Sequence, residues 1–146
     1  MILPGPQTSQ QLQEAIGLAQ YRIDFDRLVE LKRSARFLLA TRLDPEAAAS
    51  YVPDQERMDP EALVEEIADR YQAENEFVQA ELPIQEIIFR ILLMRRNEPI
   101  SLQELQQALN DRWATPVRPI NITQNGLKRI MDADTYYGFA PVRPEE

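Results

Sequence analysis

Apolar residues recur along this chain at helical spacing, interrupted by prolines and by residues that cap helices. Met1 to Gln7, with Pro4, Gly5 and Pro6, reads as a mobile tail. Thr8 or Ser9 can cap a first helix running to about Tyr21, with Leu12, Ala15, Ile16 and Ala19 on one face. Arg22 to Asp26 alternates polar and apolar residues, which predicts a short break. A longer helix then runs to about Thr41; Leu28, Leu31, Phe37 and Leu38 line much of one side, and Lys32, Arg33 and Arg36 lie elsewhere on it. Asp44-Pro45 opens a brief helix over 46–51 that Pro53 stops, and the polar segment 54–58 reads as a linker. Asp59-Pro60-Glu61 repeats the start signal for a helix reaching about Leu82, its apolar side made by Leu63, Ile67, Tyr71, Val78 and Leu82. Pro83 marks a boundary, because the residue before a proline is pushed out of the helical region.

Beyond Pro83 the pattern changes. Ile84, Ile87, Ile88, Ile91, Leu92 and Met94 predict a helix with a broad apolar face at the centre of the core, closed by Asn97. Ser101-Leu102-Gln103-Glu104 is a capping box for a helix that carries Leu102, Leu105, Ala108 and Leu109 and ends near Trp113. Residues 114–121 contain two prolines and form a loop. Asn121 or Thr123 caps a last helix to about Ala133, bearing Leu127, Ile130 and Met131. Tyr136-Tyr137-Gly138-Phe139-Ala140-Pro141-Val142 is aromatic and β-prone, suited to one short strand or a tight hairpin.

This order of a helix, a short extended piece, two capped helices and an aromatic strand resembles the winged helix-turn-helix superfamily over about Ile84 to Val142. The resemblance is one of pattern. It implies that the helix from Ile122 is the recognition helix and that Tyr136 to Arg143 form a wing. Two features depart from it. The loop before that helix is longer than the 3–4 residues typical of the motif, and the sequence ends at Glu146, where a second wing strand is expected. The fold class expected is mainly α. An N-terminal helical region (1–82, with 1–7 as tail) packs on a winged-helix-like domain (83–146) that carries a short β element.

Composition narrows the chemistry. The 146 residues include no histidine and no cysteine, which removes the commonest general base, the commonest metal ligand and the thiolate nucleophile. Ser9 and Ser101 are explained as caps, and the four glycines form no phosphate-cradling loop. Glu61, Glu65, Glu66 and Asp69 lie at helical spacing but lack the histidines of di-metal helical sites. No catalytic residue, metal or cofactor is expected. No apolar run approaches the roughly 20 residues of a membrane span and no secretory signal is visible, so a cytoplasmic location without membrane contact is expected.

Net charge is −8, and it is unevenly placed: 11 acids between Asp44 and Glu76 face only Arg57 and Arg70. Such a field repels nucleic acid unless a basic face points away from it. From Arg112 to Met131 there are four bases (Arg112, Arg118, Lys128, Arg129) and no acid. With Thr123, Gln124 and Asn125 they make a candidate face for duplex DNA, since Gln and Asn read adenine edges and Arg holds guanine or phosphate. Trp113, Tyr136, Tyr137 and Phe139 are candidate anchors of a protein interface. The expectation is a non-enzymatic adaptor or regulator acting through contacts with a protein partner or with itself, for instance as a homodimer through the N-terminal helices. A DNA-binding regulator is the alternative.

Overall fold

The computed structural model describes residues 9–43, 59–71, 77–113, 116 and 120–142. Along the chain these form α1 (Ser9–Leu18), β1 (Gln20–Ile23), α2 (Phe25–Glu30), α3 (Ala35–Ala40), α4 (Pro60–Tyr71), α5 (Ile84–Met94), β2 (Ile100–Ser101), α6 (Leu102–Ala108), α7 (Gln124–Ala133) and β3 (Phe139–Pro141). A mainly α protein with a small β element is therefore what the sequence folds into. The brief helix expected over 46–51 and the linker over 54–58 lie outside the described residues.

Helix α5 is the centre of the core. Ile87, Ile88, Phe89, Leu92 and Leu93 on it are each 0 % exposed, a broad apolar face of the kind that needs neighbours on several sides. It closes where expected. Arg96 and Asn97 adopt left-handed φ of 57° and 60°, and the Asn97 amide donates to the Leu92 carbonyl at 2.7 Å. The same asparagine then clips the first strand. Its Oδ1 accepts from Ile23 N–H and its Nδ2 donates to the Ile23 carbonyl, both at 2.8 Å, a side chain replacing a ladder partner.

That strand, β1, is the central member of an antiparallel sheet ordered β2-β1-β3. Tyr21 pairs with Ile100 on one side and with Pro141 on the other, and Ile23 pairs with Phe139. Tyr21 and Ile23 point into the core at 2 % and 1 % exposure, the period-two alternation of a half-buried strand. Residues before position 83 thus supply the middle strand of a sheet whose outer strands come after it, and one apolar core includes side chains from both regions. Pro141 sits on an edge strand, where its missing N–H costs no ladder bond.

Several expectations are corrected. The first helix stops at Leu18, short of Tyr21, because Tyr21 is drawn into β1. Its inner face carries Ile16 and Gly17, while Leu12 is 49 % exposed and Ala15 is exposed. The helix expected to reach Thr41 breaks in two. Lys32 takes a φ of 60°, Arg33 N–H bonds the Leu28 carbonyl at 2.9 Å, and Ser34 caps α3 by accepting from Phe37 N–H at 3.1 Å. Phe37, expected on the apolar side, is 72 % exposed; nine residues after Leu28 is about two and a half helical turns, which places it on the opposite side. The helix from Pro60 is described to Tyr71 and residues 77–82 are not helical, so it does not reach Leu82; Phe77 stacks on Tyr71 with ring centroids 4.6 Å apart.

The aromatic end forms the single strand β3, approached through a turn built on Asp134. Its carboxylate accepts from the backbone N–H groups of Tyr136, Tyr137, Gly138 and Phe139 at 2.8–3.2 Å. Gly138 has a φ of 83°, and a Cβ there would lie 2.7 Å from Leu28 Cγ. We expect Gly138→Ala to lower stability by about 2–3 kcal/mol, from the left-handed conformation and the overlap together. That is a thermal midpoint lower by on the order of 6–9 °C for a domain of this size. Calorimetry on the two proteins measures it.

Candidate functional site

The last helix carries most of the expected DNA-contacting residues. Thr123 caps it, accepting from Gly126 N–H at 2.9 Å. Gln124, the next residue, faces inward. Its Nε2 donates to Gln106 Oε1 at 3.0 Å, and Gln106 Nε2 donates to the Ile122 carbonyl at 2.9 Å. Its own Oε1 lies over Gly17 of α1, so close that a Cβ on Gly17 would stand 2.5 Å from it. Helix α1 therefore covers the head of α7 at the position from which a base edge would be read. Lys128 donates to Asp132 Oδ2 at 2.6 Å, and Asp132 Oδ1 accepts from the Tyr21 hydroxyl at 2.6 Å. Burial would raise the Asp132 carboxyl, but the bonds from Lys128 and Tyr21 outweigh it and hold it below the ordinary range. Burial and then the Asp132 bond push the Tyr21 phenol up. Asn125, Arg129 and Arg112 are exposed. Arg118 and the side chain of Trp113 lie outside the described residues.

The aromatic candidates separate. Phe139 is 2 % exposed and belongs to the core. Tyr137 is half-buried, its ring 5.1 Å from Phe89 and 5.3 Å from Phe139, and its hydroxyl donates to Glu86 Oε1 at 3.0 Å. Neither presents an open anchor, because the β1–β3 pairing and the Asp134 turn draw both inward. Tyr136 is the exposed member, 40 % open. The Arg33 guanidinium lies 4.4 Å above its ring, and Arg33 Nε donates to the Thr135 carbonyl at 3.2 Å.

Behind this aromatic turn lies a buried charge cluster. Glu86, on α5, accepts a forked pair from Arg42 at 2.6 and 3.1 Å and a third bond from Arg90 at 2.9 Å. Arg42 also donates to the Leu38 carbonyl at 3.0 Å, and Arg90 to the Phe77 carbonyl at 2.8 Å. The Arg42 and Glu86 side chains are only 8 % and 12 % exposed. Burial would raise the Glu86 carboxyl; the bonds from Arg42, Arg90 and Tyr137 reverse that and hold it low. The same cluster raises the Tyr137 phenol, through burial first and the facing carboxylate second. With every strong group saturated, the cluster joins α3 to α5 and to the C-terminal turn.

What it holds in place is a surface that sequence reasoning missed. On α2 and α3, Val29 is 73 % and Phe37 72 % exposed. Lys32, Arg33 and Arg36 are exposed among them, and Arg33 reaches across to Tyr136. From Arg27 to Thr41 four bases meet the single acid Glu30, in a chain whose net charge is −8. The signal that could have found it is the spacing of nine residues from Leu28 to Phe37, about two and a half helical turns, which sets Phe37 opposite Leu28.

Elsewhere, an open cleft of about 360 Å³ is lined by Arg22, Phe25, Glu61, Glu65, Arg96 and Asn97. Arg96 is paired with Glu65 and Asp69, two of the carboxylates considered above for a cation, and both ends of the Asn97 amide are used on Ile23. Among the described residues no group of three or more acidic side chains is placed to hold a metal ion, and no helix is long and apolar enough to cross a membrane. The sequence matches no protein-family model, and no curated protein or solved structure is significantly similar to it.

The cluster has a pH signature. The folded Glu86 carboxyl lies below its ordinary value of 4.5, so its contribution to stability is present above that value and is lost as pH falls through the lower folded value. The raised Tyr21 and Tyr137 phenols act at the other end, and stability declines as pH rises above about 10, where tyrosines of the unfolded chain ionise first. We expect Glu86→Gln to flatten part of the acid decline. At about pH 7 it should cost on the order of 3–5 kcal/mol, because buried cations lose their partner. Urea denaturation across the pH range checks both.

Proposed function

We propose that this protein is a non-enzymatic adaptor or regulator that works through protein contacts, using the face formed by Val29, Phe37 and Tyr136. The observation that carries the reading is the exposure of Val29 and Phe37 at 73 % and 72 % on two short, individually capped helices. Large apolar side chains beside cations and a half-open tyrosine are the ingredients of an interface centre. Leu12 and Leu18 of α1, 49 % and 68 % exposed, are further exposed apolar side chains, on another helix. The absence of histidine and cysteine supports a binding role over turnover. The double variant Val29→Ser/Phe37→Ser should keep the wild-type unfolding midpoint within about 2 °C, as exposed positions do. It should also lose, by at least roughly tenfold, the proteins that the wild type enriches in a quantitative affinity capture. An unchanged set of captured proteins would overturn the reading.

A second reading keeps duplex DNA as the partner. It is favoured by the exposure of Asn125 and Arg129 on α7 and by the resemblance of the order α5–β2–α6–α7–β3 to a winged helix, with β1 beside β3 in the place of a second wing strand. Against it stand the covered Gln124 and the Lys128–Asp132 pair. Binding to duplex DNA across a salt series decides. Affinity that falls steeply with salt and drops further in Lys128→Ala/Arg129→Ala supports it, and no binding at low salt removes it, because the phosphate contribution is largest there.

A further inference from the structure

Resting on the protein-contact reading, we propose that the α2–α3 face binds an acidic amphipathic segment of another protein, an apolar ridge flanked by carboxylates. Charge decides the kind of partner. Lys32, Arg33 and Arg36 are all exposed on the same stretch of chain as Val29 and Phe37, and the only acid between Arg27 and Thr41 is Glu30, itself within 3.6 Å of Arg27. A second copy docked face to face across a twofold axis would bring the three cations against the same three cations, since such an interface is self-complementary. Like charges opposed at an interface disfavour association. Docking the face on the acidic helix α4 of another copy fails for a different reason: its exposed residues are Glu61, Ala62, Glu65, Asp69 and Arg70, with no large apolar group to cover Phe37. Nucleic acid is disfavoured by the net charge of −8, which repels a long polyanion more than it repels a short segment carrying a few carboxylates.

The geometry suits such a segment. Arg33 is fixed over Tyr136 at 4.4 Å and anchored to the Thr135 carbonyl, so one cation is held in position before binding. Lys32 stands at the corner between the two helices, one turn from Val29, whose carbonyl accepts the Lys32 N–H at 3.0 Å. Arg36 precedes Phe37. An amphipathic helix laid here would place apolar residues at i, i+4 and i+7 on Val29 and Phe37 and carboxylates beside the cations.

The test uses the full chain, uniformly labelled with ¹⁵N, and three synthetic helical peptides with the same Leu/Phe ridge and Glu, Gln or Lys at all other positions. The Glu peptide should shift the amide resonances of residues 29–37 and 135–136, bind at least roughly tenfold tighter than the Gln peptide, and weaken as salt screens the charges. Lys32→Glu/Arg36→Glu should reverse the preference toward the Lys peptide; that reversal is not expected of a variant that has merely lost its fold, and the amide spectrum of the free variant reports its fold directly. Equal binding of the Glu and Gln peptides, both lost in Phe37→Ser, would overturn the acidic partner while leaving the protein-contact reading standing. Shifts confined to other elements, no binding of the Glu peptide, or tighter binding of a duplex oligonucleotide or phosphatidylserine vesicles at this face would each overturn the proposal.

Discussion

A carboxylate stands on α5, the helix at the centre of the core, and the end of α3 and the aromatic turn are tied to it. Glu86 would cost several kcal/mol to bury as an isolated charge. It is kept ionised by a forked Arg42, by Arg90 and by the Tyr137 hydroxyl. These partners come from three places in the chain: the end of α3, α5 itself and the turn before β3. Each guanidinium also holds a backbone carbonyl, Leu38 for Arg42 and Phe77 for Arg90, and each lies over the Phe89 or Phe77 ring at 4.9 Å. A saturated cluster of this kind sets geometry more than it adds stability. It joins the end of α3 to α5 and to the aromatic turn.

Local signals were the legible ones. The apolar run of α5, the Ser101 capping box and the Thr123 cap were readable because each depends on residues within a turn of one another. The capping box differs only in detail, with Ser101 Oγ and Glu104 Oε1 bonded to each other at 3.1 Å. Features that depend on distant residues were not legible. Gln20 to Ile23 became a strand because β2, β3 and the Asn97 side chain offered it backbone partners, and none of these is nearby in sequence. Gln124 looked like a free reading residue in a helical first turn. It is covered because Gly17, more than a hundred positions earlier, lets α1 approach closely. Phe37 is a different case. It follows Leu28 by nine residues, about two and a half helical turns, so even an unbroken helix would set it opposite Leu28, and the break at Lys32 with a restart at Ser34 does not by itself account for its exposure.

The central position of β1 links these differences. Because the middle strand comes from the N-terminal region, the segment before it, α1, is brought across α6 and α7 and meets Gln103 and Gln124 through Gly17. The segment after it is capped by Asp24, which accepts from Asp26 N–H at 2.9 Å and sends the chain into α2. Asp24 N–H in turn donates to the Gly138 carbonyl at 2.8 Å, so α2 starts against the aromatic turn. One strand placement thus closes the α7 head and opens the α2–α3 face. The two candidate surfaces are coupled in construction: whatever holds β1 between β2 and β3 favours the second over the first.

The chemistry of the open face also sets what kind of association it supports. Leaving Val29 and Phe37 in water forgoes roughly 1–2 kcal/mol of burial for each side chain. Between them the backbone adopts a left-handed Lys32 and a fresh cap at Ser34, and the restarted helix buries Leu38 and Leu39. On this stretch of chain the charge is positive while the chain as a whole is negative. An acidic segment, if it is the partner proposed, would be steered toward this face and away from α4, and apolar contact with Phe37 would set how long the complex lasts, since steering acts on the rate of association and buried contact on the rate of release. A binding face built in this way would discriminate by charge at a distance and by shape on contact.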